Sequence, residues 1–99
     1  MSDSNHLFLQ QAANLMNDLN VHYIEAEFDD QVQLKDQLDQ AMRDFSKAKL
    51  AILKNNITCT ADDVKQMQQL RQRLAKAPDL QQILATVVSF VSFVRLRFL

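Results

Sequence analysis

The chain has 99 residues, of which 47% are hydrophobic, with 11 lysines and arginines, 12 aspartates and glutamates, and no glycine. The net charge is -1, so the protein is not expected to have the basic surface on which non-specific nucleic-acid binding depends. The apolar fraction is too high for an intrinsically disordered chain. Because glycine supplies the positive φ angles of hairpin turns and phosphate-binding loops, its absence predicts an all-α protein and excludes a Walker or Rossmann loop.

The chain is expected to form one domain in a reducing compartment. Its length fits a single small core over residues 1–99. Cys59 stands alone, so no disulfide can form within the chain and a cytoplasmic location is expected. The first residues show no basic stretch followed by an apolar one, so no secretory signal is predicted. The longest apolar run, from Ile83 to Val94, is short for a membrane-spanning helix.

Apolar residues recur in steps of three and four through the first half of the chain, as in amphipathic helices and coiled coils. One seam comprises Leu9, Ala12, Met16, Leu19, Tyr23 and Ala26, and the next comprises Leu34, Leu38, Ala41, Phe45, Ala48 and Ile52. The favoured interpretation is one long, bent helix over residues 5–54. Because the two seams differ in phase, the alternative is two helices broken near Asp29-Asp30, where Asp30 and Gln33 form a weak capping box.

A clearer break follows at residues 55–60. Asn55 and Asn56 are expected to end the preceding helix, since asparagine tolerates left-handed geometry when glycine is missing. Thr60, with Asp63 three residues later, predicts the N-terminus of a helix over residues 61–77.

Two further features belong to this second half. Cys59 and Val64 occupy the two positions of a hydrophobic staple around the Thr60 cap. Pro78 is predicted either to open a last helix, over residues 78–98, or to kink a continuous one. The alternation from Val94 to Phe98 also fits a strand.

These segments predict a long antiparallel helical hairpin or an up-and-down helical bundle. Residues 1–54 hold 9 acids and 5 bases, whereas residues 55–99 hold 3 acids and 6 bases. The two halves are therefore expected to attract each other. A simple hairpin brings Arg95 and Arg97 near Asp18, and a four-helix arrangement pairs the charges differently.

The last helix carries more apolar surface than packing on one neighbour requires. A large apolar face is typical of an interaction site. Two copies of a protein most often cover such a face by forming a two-fold symmetric dimer. We therefore expect a non-enzymatic interaction module, such as an adaptor, regulator or assembly chaperone, that forms a homodimer or binds a partner helix. A peripheral membrane protein is an alternative. The predicted contact residues are Leu84, Val87, Val88, Phe90, Val91, Phe93 and Val94.

One acidic stripe has the residue types of a metal site. Asp18, His22, Glu25 and Asp29 project to one side of a single helix. Carboxylates and histidine on facing helices bind metal in di-iron bundles, which makes a metal-dependent enzyme a second alternative. The stripe points away from the apolar seam, however, so the favoured interpretation is a solvated face with no metal, cofactor or catalytic residue.

Cys59 has two interpretations. Its position before a helix N-terminus favours a thiolate and hence a reactive cysteine. The staple position favours a packed side chain that behaves as a small hydrophobe, and this is the preferred interpretation.

Overall fold

The computed structural model describes residues 3–54 and 57–99 and contains four helices within them. They are α1 (Asp3–Glu25), α2 (Phe28–Leu53), α3 (Ala61–Ala75) and α4 (Leu80–Phe98). The described ranges contain no strand, which confirms the all-α prediction and corrects the strand interpretation of Val94 to Phe98. The helix end predicted at Asn55 and Asn56 lies outside the described residues.

The first half of the chain forms two helices, so the favoured single long helix is wrong. Only Ala26 and Glu27 separate α1 from α2, and the break precedes the alternative position at Asp29-Asp30. Glu27 is the N-cap residue of α2 but makes no capping hydrogen bond through its side chain. Instead, Gln31 Nε2 donates to the carbonyl oxygen of Tyr23 at 2.9 Å, which links the first turn of α2 to the last turn of α1.

The predicted start of α3 is confirmed. The Asp63 backbone N–H donates to Thr60 Oγ1 at 3.1 Å, and the Thr60 N–H donates to the Asp63 carboxylate at 2.9 Å. This reciprocal capping box satisfies two N–H groups that the first turn of a helix otherwise leaves without partners. Cys59 and Val64, at the staple positions, are both buried in the core.

Pro78 neither opens nor kinks a helix, contrary to the prediction. It lies in the linker between Ala75, where α3 ends, and Leu80, where α4 begins. The N-cap residue is Asp79, whose carboxylate accepts the backbone N–H of Gln82 at 3.0 Å. A carboxylate at the N-cap satisfies a free N–H group, which proline cannot do, so α4 begins after Asp79.

The helices form an up-and-down bundle in which α1 runs parallel to α3 and α2 runs parallel to α4. At one end the Cys59 N–H donates to Asn5 Oδ1 at 2.6 Å, and farther along Arg71 Nε lies 3.2 Å from Asp18. The hairpin expectation that Arg95 and Arg97 meet Asp18 is therefore wrong. The molecule measures 40 × 22 × 19 Å.

A continuous apolar core joins all four helices. Three phenylalanines fasten the start of α1 to the end of α4: the Phe8 ring centroid lies 5.0 Å from that of Phe98 and 6.2 Å from that of Phe93. Both seams of the first half contribute to this core, with Leu19 and Leu34 almost fully buried. Such burial of large side chains is the main favourable term in folding.

Candidate functional site: the outer face of α2

The apolar face predicted as an interaction site on the last helix packs mostly inside the bundle. Val87, Phe90 and Val94 have no exposed surface and belong to the core. Leu84, Val91 and Phe93 are half-buried against that core, and Val88 alone of the seven is exposed. The sequence shows how much apolar surface α4 carries but not that α2 and α3 pack along it.

By length and composition alone, α4 is the one helix within the described ranges that could cross a membrane. It has 19 residues, with a mean hydropathy of 1.2 over its most apolar window. A helix that packs in the core of a bundle can have the same length and hydropathy, and side chains of α4 contribute to this core. Its two arginines are held by ion pairs with Asp44 and Asp63 on other helices.

The acidic stripe is divided between two helices. Asp18, His22 and Glu25 lie on α1, whereas Asp29 lies beyond the break on α2. Asp18 is paired with Arg71, and Glu25 and Asp29 are exposed. Within the described ranges, no group of three or more His, Cys, Asp or Glu side chains lies close enough to hold a metal ion.

Cys59 is packed in the core, with 3% of its surface exposed. Burial, followed by the nearby charge of Asp63, raises the pKa of the Cys59 thiol from its ordinary value of 9.0 to about 11, although Arg97 acts in the opposite direction. A thiol with a raised pKa holds little thiolate at neutral pH and is a poor nucleophile. This environment favours the packing role over the reactive one.

Two buried aspartates form ion pairs with arginines of α4. Arg95 Nε donates to Asp44 at 2.8 Å, and Arg97 Nε donates to Asp63 at 3.0 Å. Arg97 also donates to the carbonyl oxygen of Thr58 at 2.9 Å. Every buried side-chain nitrogen and oxygen in the described ranges has a hydrogen-bond partner. The two ion pairs therefore connect α4 to α2 and to α3.

Five of the eleven exposed large hydrophobic residues in the described ranges lie on α2, on a face that sequence analysis missed. We call it the outer face of α2. It is separated from the core seam by about 80° to 160° around the helix axis. Its apolar members and their exposed fractions are Phe28 76%, Val32 59%, Met42 47%, Leu50 53% and Leu53 48%. Lys35, Asp39 and Ser46 lie between them on the same face.

A groove between α1 and α2 borders this face. Its volume is about 580 Å³. Met16 and Leu38, both buried, contribute to its lining together with the half-buried Phe45, whereas Asp39 and Met42 on its edge are exposed. The groove thus offers apolar side chains beside the exposed ones of α2.

The outer face of α2 has a signal in the sequence. Phe28, Val32, Lys35, Asp39 and Met42 follow one another in steps of four and three, as the core seam does. Because Lys35 and Asp39 occupy the centre of this pattern, apolar residues alone do not reveal it. A second seam on a helix that already has a core seam is typical of a helix with neighbours on two sides.

Comparison with known proteins gave no relative: no protein-family model, curated protein or solved structure matches the chain.

Proposed function

We propose that the protein is a non-enzymatic protein-protein interaction module that binds through the outer face of α2. One observation carries the proposal: five apolar side chains, each with about half or more of its surface exposed, lie along one face of a helix whose opposite side is packed in a core. The five lie at the two ends and near the middle of the helix, with Lys35, Asp39 and Ser46 between them. Apolar side chains exposed together on one face are typical of a binding site.

The mechanism is burial of these side chains by a partner. Burying a side chain such as Phe28 or Val32 contributes roughly 1.5 to 3 kcal/mol, from which the costs of association are subtracted. The groove beside α2 receives side chains of the partner, as in the docking of an amphipathic helix. The role fits an adaptor, regulator or assembly chaperone of a reducing compartment.

Site-specific photocrosslinking in cells of the native host tests the proposal. A photoreactive phenylalanine analogue replaces Val32 in one variant and Gln69, an exposed residue of α3, in the control. We expect protein adducts at position 32 in clear excess over those at position 69. Absence of protein adducts at position 32, or equal yields at both positions, would overturn the proposal.

Liposome sedimentation distinguishes the membrane alternative. If the purified protein sediments with anionic liposomes and Val32→Glu abolishes that sedimentation, the outer face of α2 is a membrane contact and the proposal is wrong. We expect the wild-type protein to remain in the supernatant.

A further inference from the structure

We propose that the partner of the outer face of α2 is a second copy of this chain, packed antiparallel about a two-fold axis near the middle of α2. The inference rests on the proposed function and specifies its partner. It differs from the dimer expected through the last helix because it uses a face that the bundle leaves uncovered.

The arrangement of apolar residues on this face is nearly symmetric from end to end. Phe28 and Val32 lie in the first two turns of α2, and Leu50 and Leu53 lie in its last turns. An interface formed by the same patch on two subunits must be complementary to itself. With the axis between Gln40 and Ala41, Phe28 of one copy faces Leu53 of the other, and Val32 lies beside Leu50.

The charges at the centre favour this antiparallel orientation. Lys35 Nζ lies 3.5 Å from Asp39, and both side chains are more than half exposed. Parallel packing in register places Lys35 against Lys35 and Asp39 against Asp39, which is unfavourable. Antiparallel packing about the proposed axis places Lys35 opposite Ser46 and Asp39 opposite Met42 of the second copy. The two copies of Lys35 are then about 17 Å apart along the helix axes. Only the two copies of Asp39 approach each other, and each keeps Lys35 of its own chain as a partner.

The groove between α1 and α2 lies at the middle of the same face. Leu38 and Met42, which line it, flank the position of the proposed axis. The two copies of Met42 therefore meet near the two grooves. Methionine is unbranched and polarizable, so its side chain adapts to an irregular apolar space.

The available area fits a stable dimer. A helix of 26 residues, the length of α2, is about 39 Å long at 1.5 Å per residue. Two neighbouring helices present a face about 18 Å wide, since their axes lie 8 to 10 Å apart. With α1, which forms the other side of the groove, also in the interface, the product is roughly 700 Å² for each copy, close to the roughly 800 Å² per partner of a standard interface. The face of α2 alone supplies about half of this area.

Light scattering of the purified full chain tests whether the dimer forms. At about 100 µM, a concentration at the weak end of micromolar affinities, we expect a mass twice the 11.4 kDa of one chain. Val32→Glu should raise the dimer dissociation constant at least about tenfold, because each dimer then contains two charged groups at an apolar contact. Gln33→Glu is the matched control on an exposed position outside this face and should leave the dimer intact.

Cysteine crosslinking tests the orientation. Mixing Phe28→Cys protein with Leu53→Cys protein should give a crosslinked dimer with a short bismaleimide. Each variant alone should not crosslink, because the two copies of residue 28 are then about 37 Å apart along the helix axes. The wild-type protein is the control for Cys59, which is buried. Crosslinking of Phe28→Cys protein with itself would overturn the antiparallel arrangement.

Failure of this inference is distinguishable from failure of the proposed function. A wild-type monomer at about 100 µM contradicts the self-association, and a dimer that both Val32→Glu and Leu50→Glu leave unchanged contradicts self-association through the outer face of α2. If position 32 then still forms photoadducts with other proteins, the interaction function stands with a different partner. Without adducts of any kind, both are wrong.

Discussion

Arg95 on α4 donates to Asp44 on the neighbouring helix α2, with 2.8 Å between Arg95 Nε and Asp44 Oδ2. The Asp44 side chain is 2% exposed, whereas that of Arg95 is 55% exposed. Gln40 Nε2 also donates to Asp44, at 3.0 Å. A buried carboxylate thus depends on one charged partner that reaches in from the surface.

Arg95→Met should lower the free energy of unfolding by about 2 kcal/mol, because it leaves the Asp44 carboxylate buried without its cation. Urea denaturation followed by circular dichroism gives the value. In the double variant Asp44→Asn with Arg95→Met no charge remains buried, so it should be more stable than Arg95→Met alone. If the two substitutions are additive, the ion pair has no part in stability.

Thr60→Ala should lower the free energy of unfolding by about 1 kcal/mol through loss of the acceptor for the Asp63 N–H. Thr58→Ala is the matched control, since the Thr58 side chain is exposed two residues before the cap. Thermal or urea unfolding measures both variants. Equal stability of the two would show that the capping box contributes nothing.

Stability should fall at alkaline pH because of Cys59. The folded protein holds the thiol proton up to a pKa of about 11, whereas the unfolded chain releases it near the ordinary value of 9.0. The unfolded state therefore binds fewer protons between these values, and the free energy of unfolding decreases by about 2 kcal/mol from pH 8 to pH 11.

Cys59→Ala isolates this effect from the titration of lysine and tyrosine. The stability advantage of the wild type over Cys59→Ala should shrink as the pH rises through this interval. Urea unfolding of both proteins at several pH values measures it. An advantage that stays constant would show that the thiol is not shielded by burial.

His22→Ala and Glu25→Ala should each change the free energy of unfolding by less than about 0.5 kcal/mol, as is usual for surface positions without a special role. Elemental analysis of the purified wild type and both variants should find no stoichiometric metal. Metal bound to the wild type and lost from either variant would support the metal-dependent enzyme instead.

The sequence predicts parts of this fold that depend on local chemistry. The capping box of Thr60 and Asp63 requires only residues three apart, and the seams require only helical spacing. The break at Glu27 was not predictable in this way, because it lacks a capping side chain and is held by Gln31 reaching back to the carbonyl of Tyr23.

The candidate site was harder to predict for a related reason. Val87 and Phe90 look like interface residues when α4 is considered alone, and only the packed bundle shows that they are in the core. Conversely, Phe28 and Val32 resemble core residues in the sequence, and only the packing of α2 in the bundle shows that they are exposed. Periodicity identifies apolar faces, but the choice of which face remains exposed depends on how the helices pack.

The comparison of two valines tests most directly whether the outer face of α2 is the interaction surface. Val32 on α2 and Val88 on α4 are 59% and 49% exposed, so valine to glutamate disturbs folding little at either position. Light scattering at about 100 µM should show a dimer for Val88→Glu and a monomer for Val32→Glu. A monomer for Val88→Glu together with a dimer for Val32→Glu would contradict the account and return the interaction to the last helix.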